Sequence, residues 1–296
     1  MKYVIDFCDK FDYPVEAKEF LKKAYEKILS DEKTYKTVFT YVNKYEKNED
    51  FDHYKALDEI EEASKNTGVH PYTVKFLFYL RLSAKLKEIY REKGISEEIY
   101  FNTMLDLKWK LQETYDLYGV WGAFVAHWFR ELFTLDRFAL GRLQFDITEL
   151  GEKYEKGNIT VEADEKVVNV HIPPMGRLDR NDCIKAYREA YEFFKEYRKD
   201  NKMIFCCHSW LLHPALEKIL PEKSNILKFK SDYDILRVDN RDPFREAWRI
   251  FYRDCDTCRV EDYPENTSLQ KSVKRWLLDG NKLGAALGAF VFEGET

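Results

Sequence analysis

The sequence predicts an α+β protein, with a helical N-terminal domain followed by a mixed-sheet α/β domain. Three observations carry this expectation. Up to about position 120 apolar residues recur at three- and four-residue spacing, the mark of helices with one buried face. After Gly141 the period shortens to two, the mark of half-buried strands. The chain has 296 residues, about twice the usual length of one domain, so two domains is the natural prior. The expected boundary is 120/121, giving a helical domain over 1–120 and a sheet-containing domain over 121–296.

The first half reads as helix from Pro14 onward. Phe20, Leu21, Tyr25 and Ile28 share one face; Val74, Leu77, Phe78, Leu82 and Leu86 share another; Met104, Leu105, Trp109 and Leu111 form a third. Breakers fall between these runs, at Asn66-Thr67-Gly68, at Lys93-Gly94, and at Gly119 with Gly122. Ser96 followed by Glu97 and Glu98 reads as a helix cap with first-turn acids. A further helix is expected from Trp128 to about Leu140. In it and before it, Trp121, Phe124, Trp128, Phe129 and Phe133 read as core joining the two domains, with a lining of an acceptor pocket as the other reading.

In the second half Arg142 to Glu149 alternates polar and apolar residues and reads as a strand. Gly151 to Asn158 reads as a charged turn, followed by strands over 159–163 and 166–172. In the latter Val168, Val170 and Ile172 share one face, and Val167, Asn169 and His171 the other. A loop over 173–178 leads into a helix from Asp179 to about Lys199. Met203 to Trp210 reads as a strand, 214–220 as a short helix, 226–230 and 234–238 as strands, and 244–252 as a helix. A helix from Ser268 to Leu278 and a strand from Leu283 to Phe292 close the order.

Composition excludes several classes. With 45% hydrophobic and 34% charged residues the chain is a folded protein rather than a disordered one, and 21 Phe, 20 Tyr and 6 Trp supply bulk for a large core. A net charge of −5, from 48 basic and 53 acidic residues, leaves no basic block for nucleic acid. No run approaches the roughly 18 apolar residues of a membrane span, and no apolar signal region follows Met1. Six cysteines are too few for a disulfide scaffold. A cytoplasmic protein without nucleic-acid or membrane partners is expected.

Leu140-Gly141-Arg142-Leu143-Gln144-Phe145, Val170-His171-Ile172-Pro173, Cys207-His208-Ser209-Trp210-Leu211-Leu212 and Ser224-Asn225-Ile226-Leu227 resemble the markers of a bacterial, largely uncharacterised family of acyltransferase-like proteins. That family joins a helical N-terminal domain to a GNAT-like C-terminal domain. Tyr90-Arg91-Glu92-Lys93-Gly94-Ile95 and the following helix with Asp106 and Trp109 resemble its N-terminal half. The likeness runs from about Val69 onward and is specific for family more than for substrate. It implies a GNAT-like mixed-sheet domain that takes acetyl-CoA or another acyl-CoA as co-substrate. It further implies acyl transfer, of acetyl in the first instance, to a small-molecule or peptide amine by direct transfer in a ternary complex. A GNAT-derived binding module that has lost catalysis is the alternative.

The resemblance also implies where the site lies. In GNAT proteins acyl-CoA enters where two parallel strands splay apart, and its pyrophosphate rests on the loop and helix N-terminus that follow the first of them. The first splayed strand is then 167–172, with Val170 and Ile172 along the pantetheine. The phosphate loop is Met175, Gly176, Arg177 and Leu178, with Arg180 just inside the helix; the second strand is 203–208. The loop departs from the family pattern (Gln/Arg)-x-x-Gly-x-(Gly/Ala), since Pro173-Pro174-Met175-Gly176-Arg177-Leu178 has one glycine. Asp179 puts negative charge where phosphate would sit, which Arg177 and Arg180 would offset; the plainer reading makes Asp179 a helix cap.

Acyl transfer to an amine needs a base, an oxyanion stabiliser and an acid for the leaving thiolate. His208 and Ser209 end the second splayed strand, and His171 ends the first; these are the catalytic candidates, each with a structural hydrogen-bonding role as its alternative. Cys206 and Cys207 alternate sides of one strand, so Cys207 and His208 are not expected to form a nucleophile–base pair. Gln144 and Arg142 on the first strand are candidates for acceptor contact, or merely residues of an exposed polar face. Cys255-Asp256-Thr257-Cys258 is a lone C-x-x-C without a second pair at zinc spacing, and no metal is expected.

Overall fold

The computed structural model describes residues 2–294. The chain forms two compact units that divide between Phe138 and Ala139.

The first unit is built from α1 (Lys2–Lys10), α2 (Val15–Ser30), α3 (Glu32–Glu46), α4 (His53–Ser64), α5 (Pro71–Glu92), α6 (Glu97–Tyr118) and α7 (Arg130–Phe133). Asp31, Asp52 and Ser96 cap α3, α4 and α6 through their side-chain oxygens. Helix α5 is the central element, touching α1, α2, α3, α4 and α6. Val74, Phe76, Leu77, Phe78, Tyr79, Leu80 and Leu82 are all buried on it, on more than one face.

The expected division at 120/121 moves to 138/139, and the reason is local packing. Thr73 Oγ1 donates to Trp121 O at 2.8 Å, Ala123 N donates to Tyr72 O at 3.0 Å, and the buried Phe129 ring packs edge-on to Tyr79 at 5.5 Å. These bonds tie 121–133 to α5. The aromatic run is thus core of the helical unit. The helix expected over 128–140 is broken: a 3-10 turn (Ala126–Phe129) leads into α7, which stops before Leu135 at φ +62°. Thr134 Oγ1 donates to Asp136 Oδ2 at 2.6 Å in that turn, and the next residues are extended.

The second unit runs β1 (Phe138–Leu140), β2 (Leu143–Glu149), β3 (Tyr154–Lys156), β4 (Ile159–Val161), β5 (Lys166–His171), α8 (Arg180–Phe193), β6 (Met203–Ser209), α9 (Leu216–Ile219), α10 (Asn225–Lys230), β7 (Asp234–Arg241), α11 (Ala247–Phe251), α12 (Ser268–Leu278) and β8 (Leu283–Phe292). Six strands form one sheet in the order β1-β2-β5-β6-β8-β7, and β3-β4 form a separate hairpin. β5 and β6 are parallel, while β2–β5, β6–β8 and β7–β8 are antiparallel.

Each face has its own core. On one, Phe205 and Phe290 stack at 5.3 Å and meet Tyr187 of α8 at 5.2 and 5.0 Å. On the other, Val167, Ile204, Cys206, Leu287 and Ala289 are covered by Leu150 and by Tyr154, Ile159 and Val161 of the hairpin. Two expectations are corrected here. The segment 151–158, read as a turn, contains β3, and 226–230, read as a strand, is helix α10. Ser224 Oγ accepts from Ile226 N at 3.2 Å and starts that helix.

Candidate active site

The parallel pair β5–β6 is short. Its register holds Val168 opposite Phe205 and Asn169 opposite Cys206, and pairing ends there. β5 stays bonded to β2 as far as Gln144 opposite His171, and β6 to β8 as far as Ser209 opposite Ala286. The two neighbours therefore part at their C-terminal ends, between Val170–His171 and Cys207–Ser209. Backbone groups facing that gap lack ladder partners and seek others.

The loop after β5 is held from beneath. Arg142 is 9% exposed; its Nη1 donates to Pro173 O at 3.0 Å and its Nε to Arg177 O at 3.1 Å. Burial lowers the Arg142 pKa from its ordinary value, but a guanidinium stays charged. Arg142 is thus a strut under the loop, and Gln144 is 2% exposed; neither belongs to an exposed polar face. Gly176 adopts φ +58°, a conformation that favours glycine, with open space where a Cβ would stand. Val170 and Leu178 are buried, Ile172 and Met175 half-buried, and Arg177 exposed.

The two loop arginines differ. Arg180 is ion-paired with Asp232, and its Nη1 also donates to Lys228 O at 3.3 Å. Arg177 has no side-chain hydrogen bond or ion pair among the described residues. Asp179 Oδ1 accepts from Asn181 N at 2.9 Å and caps α8. The exposed Arg177 thus stands beside the N-terminus of a 14-residue helix whose first turn carries the Asp179 cap.

Register places Gln144, Asp146, Asn169, His171, Cys206, His208, Arg237 and Asp239 on one face of the sheet. Each histidine meets a carboxylate there. His171 Nε2 lies 2.7 Å from Asp146 Oδ2, and Asn169 Nδ2 donates to Asp146 Oδ1 at 2.9 Å. His208 Nε2 lies 2.9 Å from Asp239 Oδ2, and Arg237 Nε donates to Asp239 Oδ1 at 3.2 Å. An ionised carboxylate only accepts, so a neutral His208 ring donates to Asp239 from Nε2 and keeps its lone pair on Nδ1, whereas His171 Nε2 lies between Asp146 Oδ2 and, at 2.9 Å, Asn169 Nδ2. The His208 hydrogen bond, with Arg237 beside it, lowers the Asp239 pKa. The His208 side chain is 38% exposed against 19% for His171.

Ser209 Oγ accepts from Leu211 N at 3.2 Å and starts the 3-10 turn after β6. Burial pushes the Cys206 thiol up to about 12 and raises Cys207 well above its usual value, so neither is a ready thiolate. Sequence reasoning missed Asp146 and Asp239. Asp146 sits two residues from Gln144 on the alternating strand, a signal that was present. Asp239 becomes a partner of His208 only through β8, which lies between them. Asp254, Cys255 and Asp256 bring three possible ligand atoms within 4.8 Å, but both Asp256 oxygens accept from Arg245 Nη1 at 2.6 Å.

Two family models match the chain: an N-acyltransferase N-terminal domain over residues 3–135 and a GNAT-like C-terminal domain over residues 138–290. Solved structures share the fold. An acyltransferase in complex with decanoyl-CoA and teicoplanin aligns with TM-score 0.69 and 17% identity, covering 97% of this chain and 87% of that one. A mutant acyltransferase in complex with octanoyl-CoA aligns with TM-score 0.71 and 17% identity, covering 99% and 88%. An acyltransferase in complex with decanoyl-CoA aligns at 0.64 and 20% identity, covering 80% and 78%. No curated protein matches significantly.

Proposed function

The chain belongs to the family with a GNAT-like C-terminal domain, and from that premise we propose that it transfers an acyl group from acyl-CoA to an amine of a small-molecule or peptide acceptor. One observation carries this reading: β5 and β6 part beside a loop that presents Arg177, with carboxylate-held histidines at both strand ends. Pantetheine would run along Val170 and Ile172 into the gap. Its pyrophosphate would lie at 175–178, with Arg177 as the available cation and Arg180 holding the loop's far side through Asp232.

In this mechanism the acceptor nitrogen attacks the thioester carbonyl. The N–C bond forms, the C–S bond breaks, the amine proton passes to His208 Nδ1, and the protonated His208 gives that proton, directly or through water, to the departing CoA thiolate. Unpaired backbone N–H groups beyond Asn169 would carry the oxyanion. His208 is preferred over His171 as base because its ring is the more open to a substrate. High thiol pKa values at Cys206 and Cys207 favour direct transfer over an acyl-cysteine intermediate.

The donor range is taken to include medium-chain acyl groups beside acetyl, because similar structures were solved with octanoyl- and decanoyl-CoA. Two similar structures were solved in complex with teicoplanin and with 10C-Teicoplanin, which supports a peptide-like acceptor. The test supplies acetyl-, octanoyl- and decanoyl-CoA with a panel of amines to the full chain and reads free CoA and amide product by mass spectrometry. Amide formation with at least one donor is expected. CoA binding without amide from any donor would leave the catalytically inactive binding module as the reading.

A further inference from the structure

β6 and β7 are both antiparallel to β8, so they run parallel to each other and to β5. All three end on the same side of the sheet, at His171, Ser209 and Arg241. Crevices outside the carboxyl ends of strands are where open sheets take their ligands. Beyond the end of β7 lies a cavity of about 230 Å³. Arg241, Arg259 and Lys282 give it positive walls, against one acid, Asp242, and Phe244, Tyr263 and Leu277 give it an apolar side. Arg259 is engaged with Asp262 at 3.2 Å and Lys282 loosely with Asp242 at 3.7 Å. The Arg241 guanidinium has no hydrogen bond or ion pair among the described residues.

Register relates this cavity to the site described above. Asp239 and Arg241 stand opposite Ala285 and Leu283, so they are two residues apart on one strand and share a face. Their Cα atoms are therefore separated by about 7 Å. Asp239 holds His208 at 2.9 Å. His208 stands opposite Leu287 and so level with Arg237; Arg241, a cation with no partner among the described residues, stands one strand repeat beyond Asp239, four residues farther along β7 than that level.

We propose that the cavity is an anchoring subsite for the acceptor, and that the acceptor is an amine that also carries a carboxylate, as in a peptide. The proposal rests on the acyl-transfer reading for the amine and on the cavity alone for the carboxylate. Arg241 takes the carboxylate by a forked pair of hydrogen bonds, and Phe244 and Tyr263 take an apolar side chain. A phosphate monoester offers the same charge, so it serves as a separate arm of the test.

Cys255 and Cys258 also line the cavity and are free thiols. Their alkylation therefore reports occupancy without any need for turnover. Burial, with Asp256 adding to it, raises the Cys255 pKa, so iodoacetamide is used at alkaline pH, with mass spectrometry resolving each site. The probes are glycylphenylalanine, its C-terminal amide and phosphoethanolamine, each at millimolar concentration on the full chain. Glycylphenylalanine is expected to slow alkylation of both thiols about tenfold more than its amide does, the difference of one charge-assisted hydrogen-bonded pair. Arg241→Gln is expected to erase that difference and Lys282→Gln to reduce it, with far-UV circular dichroism confirming that both variants fold. Equal protection by acid and amide, protection unchanged in Arg241→Gln, or protection by phosphoethanolamine alone would overturn the proposal. The same acid–amide pair is then run as acceptors with acyl-CoA. Discriminating protection without turnover sinks the acyl-transfer reading and keeps the cavity; turnover without protection sinks the cavity and keeps the reaction.

Discussion

His208 is held by the Asp239 carboxylate through Nε2, and this leaves Nδ1 as the ring nitrogen that can take a proton from a substrate. With His208 as the base, His208→Ala lowers kcat by about 10²–10⁴-fold while leaving the KM for acyl-CoA nearly unchanged. Asp239→Asn gives a smaller loss through the wrong tautomer. Steady-state kinetics on the two variants checks this, and normal turnover in His208→Ala removes it from the mechanism. A different histidine governs stability in acid. His53 is buried against Tyr79, its Nδ1 3.2 Å from the hydroxyl, and burial lowers its pKa to about 4 from an ordinary 6.5. Between those values the unfolded chain binds the proton and the folded chain does not. Stability is therefore complete above pH 6.5 and falls as pH drops toward 4, by on the order of 3 kcal/mol. Urea unfolding across this range is expected to show the loss in the native protein and a flatter profile in His53→Phe.

Elements explain why some of this was legible and some was not. Helix α12 (Ser268–Leu278) and strand β8 (Leu283–Phe292) are found where the sequence places them, because a capping box at Thr267 and Gln270 starts the helix and Gly280 at φ +76° stands in the turn. The five residues of 226–230 carry no period long enough to separate strand from helix, and the Ser224 cap decides it. The parting of β5 and β6 was expected from family resemblance; its position after Asn169 comes from register, which no single strand encodes. Arg142, read as part of the strand's exposed polar face, stands in the turn before β2 and is buried, and that burial depends on Pro173 and Arg177, some thirty residues later. Arg142→Met is accordingly expected to loosen the loop and weaken acyl-CoA binding several-fold, and unchanged affinity would contradict the strut. At Gly284 a Cβ would stand 1.9 Å from Asp239 O and 3.0 Å from Arg241 N. Gly284→Val is thus expected to push β7 away, cost about 1–3 kcal/mol in urea unfolding, and lower kcat by displacing Asp239 from His208. A variant with native stability and rate would show that the strands tolerate separation.

Over the whole chain, a family match across 138–290 and a second across 3–135 account for both compact units. No helix among the described residues is long and apolar enough to cross a membrane. The net charge of −5 gives an anionic cofactor no general attraction, so its binding must come from local groups. In the proposed reading the gap after Asn169, the loop on Arg142 and the exposed Arg177 would be those groups. Calorimetric titration of CoA and acyl-CoA into the full chain, with Arg177→Glu beside it, tests them most directly. Micromolar binding that weakens about tenfold or more in Arg177→Glu is expected. No binding up to millimolar CoA, or the same affinity in the variant, would contradict the placement of the cofactor between β5 and β6.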